Sequence, residues 1–282
     1  MALASELPSN VSTLIVPLDG SKFSERALPV AAALAGRLDA DISLLSAVAR
    51  EDDVAERARA LAVIDIPGHH VDVSVVVDLD PAGALHEALR RRPGAVACMA
   101  THGRGRSAAL VGSLATEVVA RGHDPLVVVG PMVEKPATGA GVVACVDETL
   151  ESEAAIRVAQ HWAGLLLSEP MTVIVVAEPV PPPVRGPARR RFGPDGDVEA
   201  HLASLVAPFR AEGAKIRTEV VYDPISPADG IRTYLDDHPA MLVVLRSRAR
   251  TGLARLAFGS VAAGVVHGSG SAAVIVPWVD EP

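Results

Sequence analysis

The chain has 282 residues, 49% of them hydrophobic and 21% charged, and carries a net charge of -8. That length supports one large domain or two ordinary ones, and the acidic balance argues against a nucleic-acid-binding domain, which needs a basic footprint. No run of about 18 apolar residues is present, so no membrane span is expected. The opening MALASELPSNVS lacks the basic and apolar regions of a signal peptide, so the expected location is the cytoplasm.

Taken in chain order, Val11 to Leu18 (VSTLIVPL) has the continuous apolar pattern of a buried strand, and Asp19-Gly20-Ser21 turns the chain. Phe23 to Leu38 follows at helical spacing. Asp41 to Val48 is a strand, Asp52 to Val63 a short helix, and Val71 to Val77 a third strand. Asp80-Pro81 is a helix start, and that helix runs to Arg92. Gly94 to Ala100 is the fourth strand, Leu114 to Arg121 a helix opened by Gly112-Ser113, and Leu126 to Val129 the fifth strand.

The same order then repeats. Val142 to Val146, Met171 to Ala177, Ile216 to Tyr222, Met241 to Leu245 and Ala272 to Pro277 read as strands. Between them lie helices over Glu151 to Leu167, Val198 to Glu212 and Ser226 to Asp237, and a fourth begins at Gly259-Ser260. Strands alternating with helices predict parallel sheets with right-handed crossovers. Two anchor pairs support duplication: Asp78-Leu79-Asp80-Pro81 with Tyr222-Asp223-Pro224, and Gly112-Ser113 with Gly259-Ser260. The fold class expected is α/β, two tandem Rossmann-like domains, each a five-stranded parallel sheet flanked by helices. The domains are placed at residues 1–134 and 140–282, joined by the Pro/Gly-containing stretch from Pro131 to Gly141. Glu178 to Asp197, rich in Pro, Gly and Arg, reads as a surface loop. Cys98 and Cys145 sit in apolar runs and read as buried structural thiols.

The stretch Thr101 to Ser113 (THGRGRSAALVGS) carries the most chemistry. A strand, a glycine loop and a Gly-Ser helix start are a recipe for holding phosphate. Glycines let the backbone turn its N–H groups toward an anion, and the helix start adds unpaired donors and a favourable dipole. In an open parallel sheet, ligands collect beyond the carboxyl ends of the strands. Three loops of the first copy lie there: residues 17–21, 47–50 and 101–113. Asp19 reads either as a turn former, with Ser21 capping the next helix, or as an acceptor for ribose hydroxyls. Ala47 and Val48 offer only backbone groups, which can pair with an adenine edge. Arg104 and Arg106 read as phosphate partners or as a solvated loop, and His102 as structural. Residues 103–108 also fit the dinucleotide pattern G-x-G-x-x-A. They follow a fourth strand rather than a first, and the acidic Asp124 precedes a strand instead of ending one, so a nicotinamide or flavin enzyme is disfavoured.

These residues resemble a known family. IVPLDGSKFSERALPVAAALA, THGRGRSAALVGSLATEVVARGHDPLVVV and SRARTGLARLAFGSVAAGVVHGSGSAAVIVPW are similar to segments of universal stress proteins, here as a tandem pair. The resemblance implies an intramolecular pair of domains that often dimerises further, and ATP held through a G-x2-G-x9-G-[ST] loop. This chain departs from that loop. Ala100 stands at the first glycine position, and eight residues rather than nine separate Gly103 from Gly112-Ser113. In the second copy Arg246 and Ala249 occupy the first two glycine positions, and the opening turn is Asp147-Glu148-Thr149.

The expectation is an ATP-binding regulatory protein of the stress response, with magnesium as a companion ion and no catalytic residues or protein-held metal. Pro17, Asp19, Ser21, Ala47, Val48, Gly103, Arg104, Gly112, Ser113 and Leu114 would form the first site. Asp147, Arg246, Gly259 and Ser260 would form a second. The partner expected is an adenine nucleotide, with no nucleic acid or membrane, and the assembly a homodimer. Two alternatives stay open: a tandem interaction module with a vestigial pocket, and a binder of another adenine nucleotide such as cyclic AMP.

Overall fold

The protein is described from a computed structural model, which covers residues 8–101, 113–121, 126–147, 149, 152–177, 198–247 and 258–277. In the first half the strands are β1 (Thr13–Pro17), β2 (Asp41–Val48), β3 (Val71–Val77), β4 (Ala95–Ala100) and β5 (Leu126–Val129). The helices are α1 (Leu28–Leu38), α2 (Val54–Ala62), α3 (Pro81–Arg91) and α4 (Ser113–Arg121). The second half has β6 (Val142–Val146), β7 (Met171–Ala177), β8 (Ile216–Tyr222), β9 (Leu242–Arg246) and β10 (Ala272–Val276). Its helices are α5 (Ser152–Leu165), α6 (Val198–Ala211), α7 (Pro227–Asp237) and α8 (Ser260–Gly268).

All ten strands join one sheet in the order β3-β2-β1-β4-β5-β10-β9-β6-β7-β8. Within each half every pairing is parallel, and the halves fuse where β5 and β10 pair antiparallel, Val127 opposite Val274. The two expected five-stranded parallel sheets are therefore present, as the two wings of a single sheet. Because the seam is antiparallel, the carboxyl-end loops of the two halves open toward opposite margins.

The apolar strand patterns follow from burial on both faces. Leu14, Val16, Leu44, Val127 and Val129 face one cluster, packed with Leu34, Leu61, Trp162 and Leu202. Ile15, Leu45, Leu126 and Val128 face the other, packed with Leu85, Val118, Ile231 and Val265. Helices α1, α2, α5 and α6 thus cover one face and α3, α4, α7 and α8 the other. At the seam, a Cβ on Gly130 would lie 1.7 Å from the Val266 carbonyl oxygen, so α8 approaches the end of β5 as closely as a glycine permits.

One expected helix divides, and one expected anchor pairing is corrected, each for a physical reason. The helix expected from Phe23 divides into a 3-10 turn, Ser24–Ala27, and α1, whose Pro29 lacks an N–H to continue the ladder backward. The helix expected over Ser226 to Asp237 is α7, with Ser226 as its cap: the Ser226 hydroxyl accepts from the Asp229 N–H at 3.1 Å. Asp78 and Asp223 are the true counterparts, each donating its N–H to the end of the adjoining strand, at Val48 and Ala177. Asp80-Pro81 therefore corresponds to Ser226-Pro227 rather than to Asp223-Pro224.

Candidate functional site

In the first half the strand order 3-2-1-4-5 reverses direction between β1 and β4, and this is the topological switch point where open α/β sheets bind ligands. Asp19 follows β1 there, and residues 101–112 follow β4. A cleft of about 580 Å³ opens beside β1 at the ends of β1 and β2, lined by Leu18, Gly20, Ala47, Val48 and residues of α2. That volume lies within the range of small-molecule sites, about 300–1,000 Å³. A second cavity, about 180 Å³, lies at the opposite, amino ends of β1 and β4, near His86, His161 and Trp162. It is too small for a nucleotide.

The backbone of the cleft has a specific origin. β1 pairs with β2 only as far as Pro17 opposite Leu45, whereas β3 stays paired through Val77 opposite Val48. The Leu18 N–H donates to the Leu45 carbonyl at 2.8 Å, and the Ser46 hydroxyl then closes the seam by donating to the Leu18 carbonyl at 2.7 Å. β2 thus overruns β1, and at Ala47 its β1-side edge faces the cleft without a strand neighbour, while Ala47 and Val48 stay paired with β3 on the other side.

The sequence-predicted residues take different places. Ala47 and Val48 line the cleft; Pro17, Asp19 and Ser21 do not, although Leu18 and Gly20 between them do. The Asp19 carboxylate accepts from the Ser21 N–H at 2.9 Å and the Ser21 hydroxyl at 2.6 Å. Its turn-forming role is therefore real. The Ser21 hydroxyl in turn accepts from the Ser24 N–H at 3.2 Å, capping the 3-10 turn. Ser113 opens α4 and Leu114 follows it; the Leu114 side chain packs on the apolar cluster. Its backbone N–H belongs to the first helical turn, where donors lack intrahelical partners. Gly103, Arg104, Arg106 and Gly112, like His102, lie outside the described residues.

Residues 141–277 match the family described as the universal stress protein family. That second half of the chain belongs to the universal stress protein family. Across nearly its whole length the chain is similar to a universal stress protein from Archaeoglobus fulgidus DSM 4304, with 17% identity and a TM-score of 0.66, covering 98% of this chain and 99% of that one. It is also similar to a functionally unknown protein from Pseudomonas aeruginosa PAO1, with 18% identity and a TM-score of 0.64, covering 97% and 95%. A universal stress protein from Archaeoglobus fulgidus in complex with dAMP matches 48% of this chain and 97% of its own at 23% identity, with a TM-score of 0.33. No curated protein matches the chain. The full-length likenesses show that the fold of the whole chain is shared.

The second unit repeats the turn. Asp147 accepts from the Thr149 N–H at 3.0 Å, and its own N–H donates to the Ser152 hydroxyl at 3.0 Å. In the first unit Asp19 donates likewise to Ser24, at 3.4 Å. Ser24 and Ser152, both buried, are thus one structural position. An aspartate with a buried serine five residues on was legible as a repeated spacing in the sequence and was missed there. At the far side, Arg246 pairs opposite Val276 as Ala100 pairs opposite Val129, which puts a guanidinium stem at the second switch point. Gly259 caps α8 at φ +66 and ψ 160, a conformation that only glycine adopts readily. Its identity is required by the backbone whether or not an anion sits on the Ser260 helix start.

Arg57 of α2 also escaped the sequence reading. It lines the cleft and lies across Gly20, whose backbone has φ +79. A Cβ on Gly20 would meet the Arg57 Nη1 at 1.9 Å. Nothing in the helical periodicity of residues 52–63 reveals that reach.

Proposed function

We propose that the first unit binds an adenine nucleotide in the cleft between β1, β2 and α2, and that the protein acts by binding rather than by catalysis. The observation that carries this reading is the overrun of β2. It leaves the backbone donor and acceptor of Ala47 facing a nucleotide-sized cleft, where they can pair with the edge of adenine, with Val48 lining the cleft beside them and its own carbonyl held by the Asp78 N–H. Asp19, fixed by Ser21 beside Pro17, supplies acceptors for the ribose. The phosphates extend toward Gly103, Arg104 and Gly112 and the first-turn N–H groups of Ser113 and Leu114. We take ATP as the nucleotide, with magnesium carried on its phosphates. Among the described residues no cluster of three or more metal-ligand side chains accompanies the cleft. Asp147, Arg246, Gly259 and Ser260 form the corresponding crevice of the second unit, in which a guanidinium replaces the backbone cradle.

Nucleotide would stabilise the folded chain by mass action and so act as a regulatory ligand. Calorimetric titration of ATP and magnesium into the protein tests the reading, beside an Ala60→Trp variant that fills the cleft from the exposed face of α2. Saturable heat that falls at least about tenfold in affinity in the variant, a change of about 1.4 kcal/mol, is expected. No heat with ATP, AMP or cyclic AMP, or equal affinity in the variant, overturns it.

A further inference from the structure

The cleft has an uneven charge pattern. Among the described residues its acidic lining residues are Glu25, Asp53 and Glu56, and its single basic lining residue is Arg57. Arg57 is half-buried, yet among the described residues its guanidinium meets no carboxylate within ion-pair distance and no hydrogen-bond acceptor. Every other described arginine of the first unit has such a partner. Arg50 meets Asp53, Arg90 and Arg91 meet Glu87, Arg92 meets Asp72, and Arg121 meets Asp80. The remaining three donate to backbone carbonyls. Asp53, the acid one helical turn before Arg57, is taken by Arg50. Arg57 instead reaches to the glycine that follows Asp19 with its Nη1 end foremost, Nη1, Cζ and Nη2 lying 1.9, 2.9 and 3.3 Å from where a Gly20 Cβ would stand. Gly20 therefore does two things: it supplies the φ +79 turn, and it leaves the space that brings a guanidinium against the sugar-binding turn.

From this placement we infer that Arg57 is a specificity-determining residue, which contacts the phosphate nearest the ribose and makes the cleft prefer adenine nucleotides to adenosine. The inference rests on the adenine-binding reading of the same cleft. A planar guanidinium with five donors suits a phosphate oxygen pair, and half-burial strengthens the interaction over its value in bulk water. Among the described residues that line the cleft three are acidic, and Arg57 is the one basic side chain that welcomes an anion. The preference is therefore expected to hang on this residue.

Calorimetry with adenosine and AMP, on the native protein and on Arg57→Gln, provides the test, repeated at low and high KCl. In the native protein AMP is expected to bind about 10-fold or more tightly than adenosine, with the gap narrowing as salt rises. In Arg57→Gln the affinity for AMP is expected to fall to that for adenosine, while adenosine itself changes less than about twofold. Equal losses for both ligands would make Arg57 a structural support of α2 and overturn the inference. So would an AMP preference that survives the substitution. Binding of neither ligand to the native protein would instead remove the adenine reading beneath it.

Discussion

Gly130→Ala probes the seam that makes two units one molecule. The added methyl would stand 1.7 Å from the Val266 carbonyl oxygen and 2.9 Å from its carbon. Both atoms are backbone of the last turn of α8, so no side-chain rotation relieves the clash; helix or strand must move. Overpacking of this kind costs about 1–3 kcal/mol, and contact with rigid backbone points to the upper part of that range. An opposing term exists. Gly130 does not have the left-handed φ that strains alanine, so the substitution also removes unfolded-state entropy, worth about 0.4–1 kcal/mol toward stability. The two terms have opposite signs, and the contact should win. With an unfolding entropy of about 2.1 cal/mol/K per residue, a net loss of about 2 kcal/mol lowers the melting temperature by roughly 3–4 °C, if the chain unfolds as one unit. Gly164→Ala is the control. Gly164 lies in α5 with nothing within 4 Å of its added Cβ, and helix propensity predicts a gain of about 0.5–1 kcal/mol. Scanning calorimetry of both variants decides the matter. A Gly130→Ala protein that melts at or above the native temperature would show that α8 does not press on β5, and the seam as described would be wrong.

Other expectations follow from the same contacts. Burial pushes the Cys98 thiol up to about 12 and raises Cys145 further, so a thiol reagent at pH 8 should label neither in the native protein and both after unfolding; a fast native label would contradict this. The Arg92 guanidinium hydrogen-bonded to Asp72 at 2.6 Å, helped by Ser43, holds that carboxyl below its usual range. A depressed folded pKa gives stability that is complete above the unfolded value and lost as pH falls through the folded one. Asp72→Asn should therefore flatten the acid limb of a stability-versus-pH curve; an unchanged limb would refute the pairing. Ser152→Ala removes the hydroxyl that accepts the Asp147 N–H at 3.0 Å and donates to its carboxylate at 2.8 Å, and should cost about 1–3 kcal/mol in denaturant unfolding. Ser24→Ala, where the corresponding N–H lies at 3.4 Å, should cost less, and the reverse order would undo the equivalence of the two turns.

The strands were legible because burial on both faces writes a continuous apolar run, as in Leu126–Val129, bounded by polar turns. The pairing of anchors between the two copies was less legible where two signals compete. Pro224 and Pro227 both follow a polar residue, and only the Ser226 cap decides between them. The strand-end positions that line the cleft, Ala47 and Val48, could be placed from topology alone. The fused sheet could not, because β5 and β10 carry the same pattern whether they end separate sheets or pair. Arg57 was invisible because a side chain that spans from one element to another leaves no mark on the periodicity of either.

The most direct measurement is a crystal structure of the protein soaked with ATP and magnesium. The adenine ring is expected against the backbone of Ala47, beside Val48, with the sugar next to Asp19 and Gly20. Nucleotide density at any other surface, with that cleft empty at saturating ligand, would contradict it.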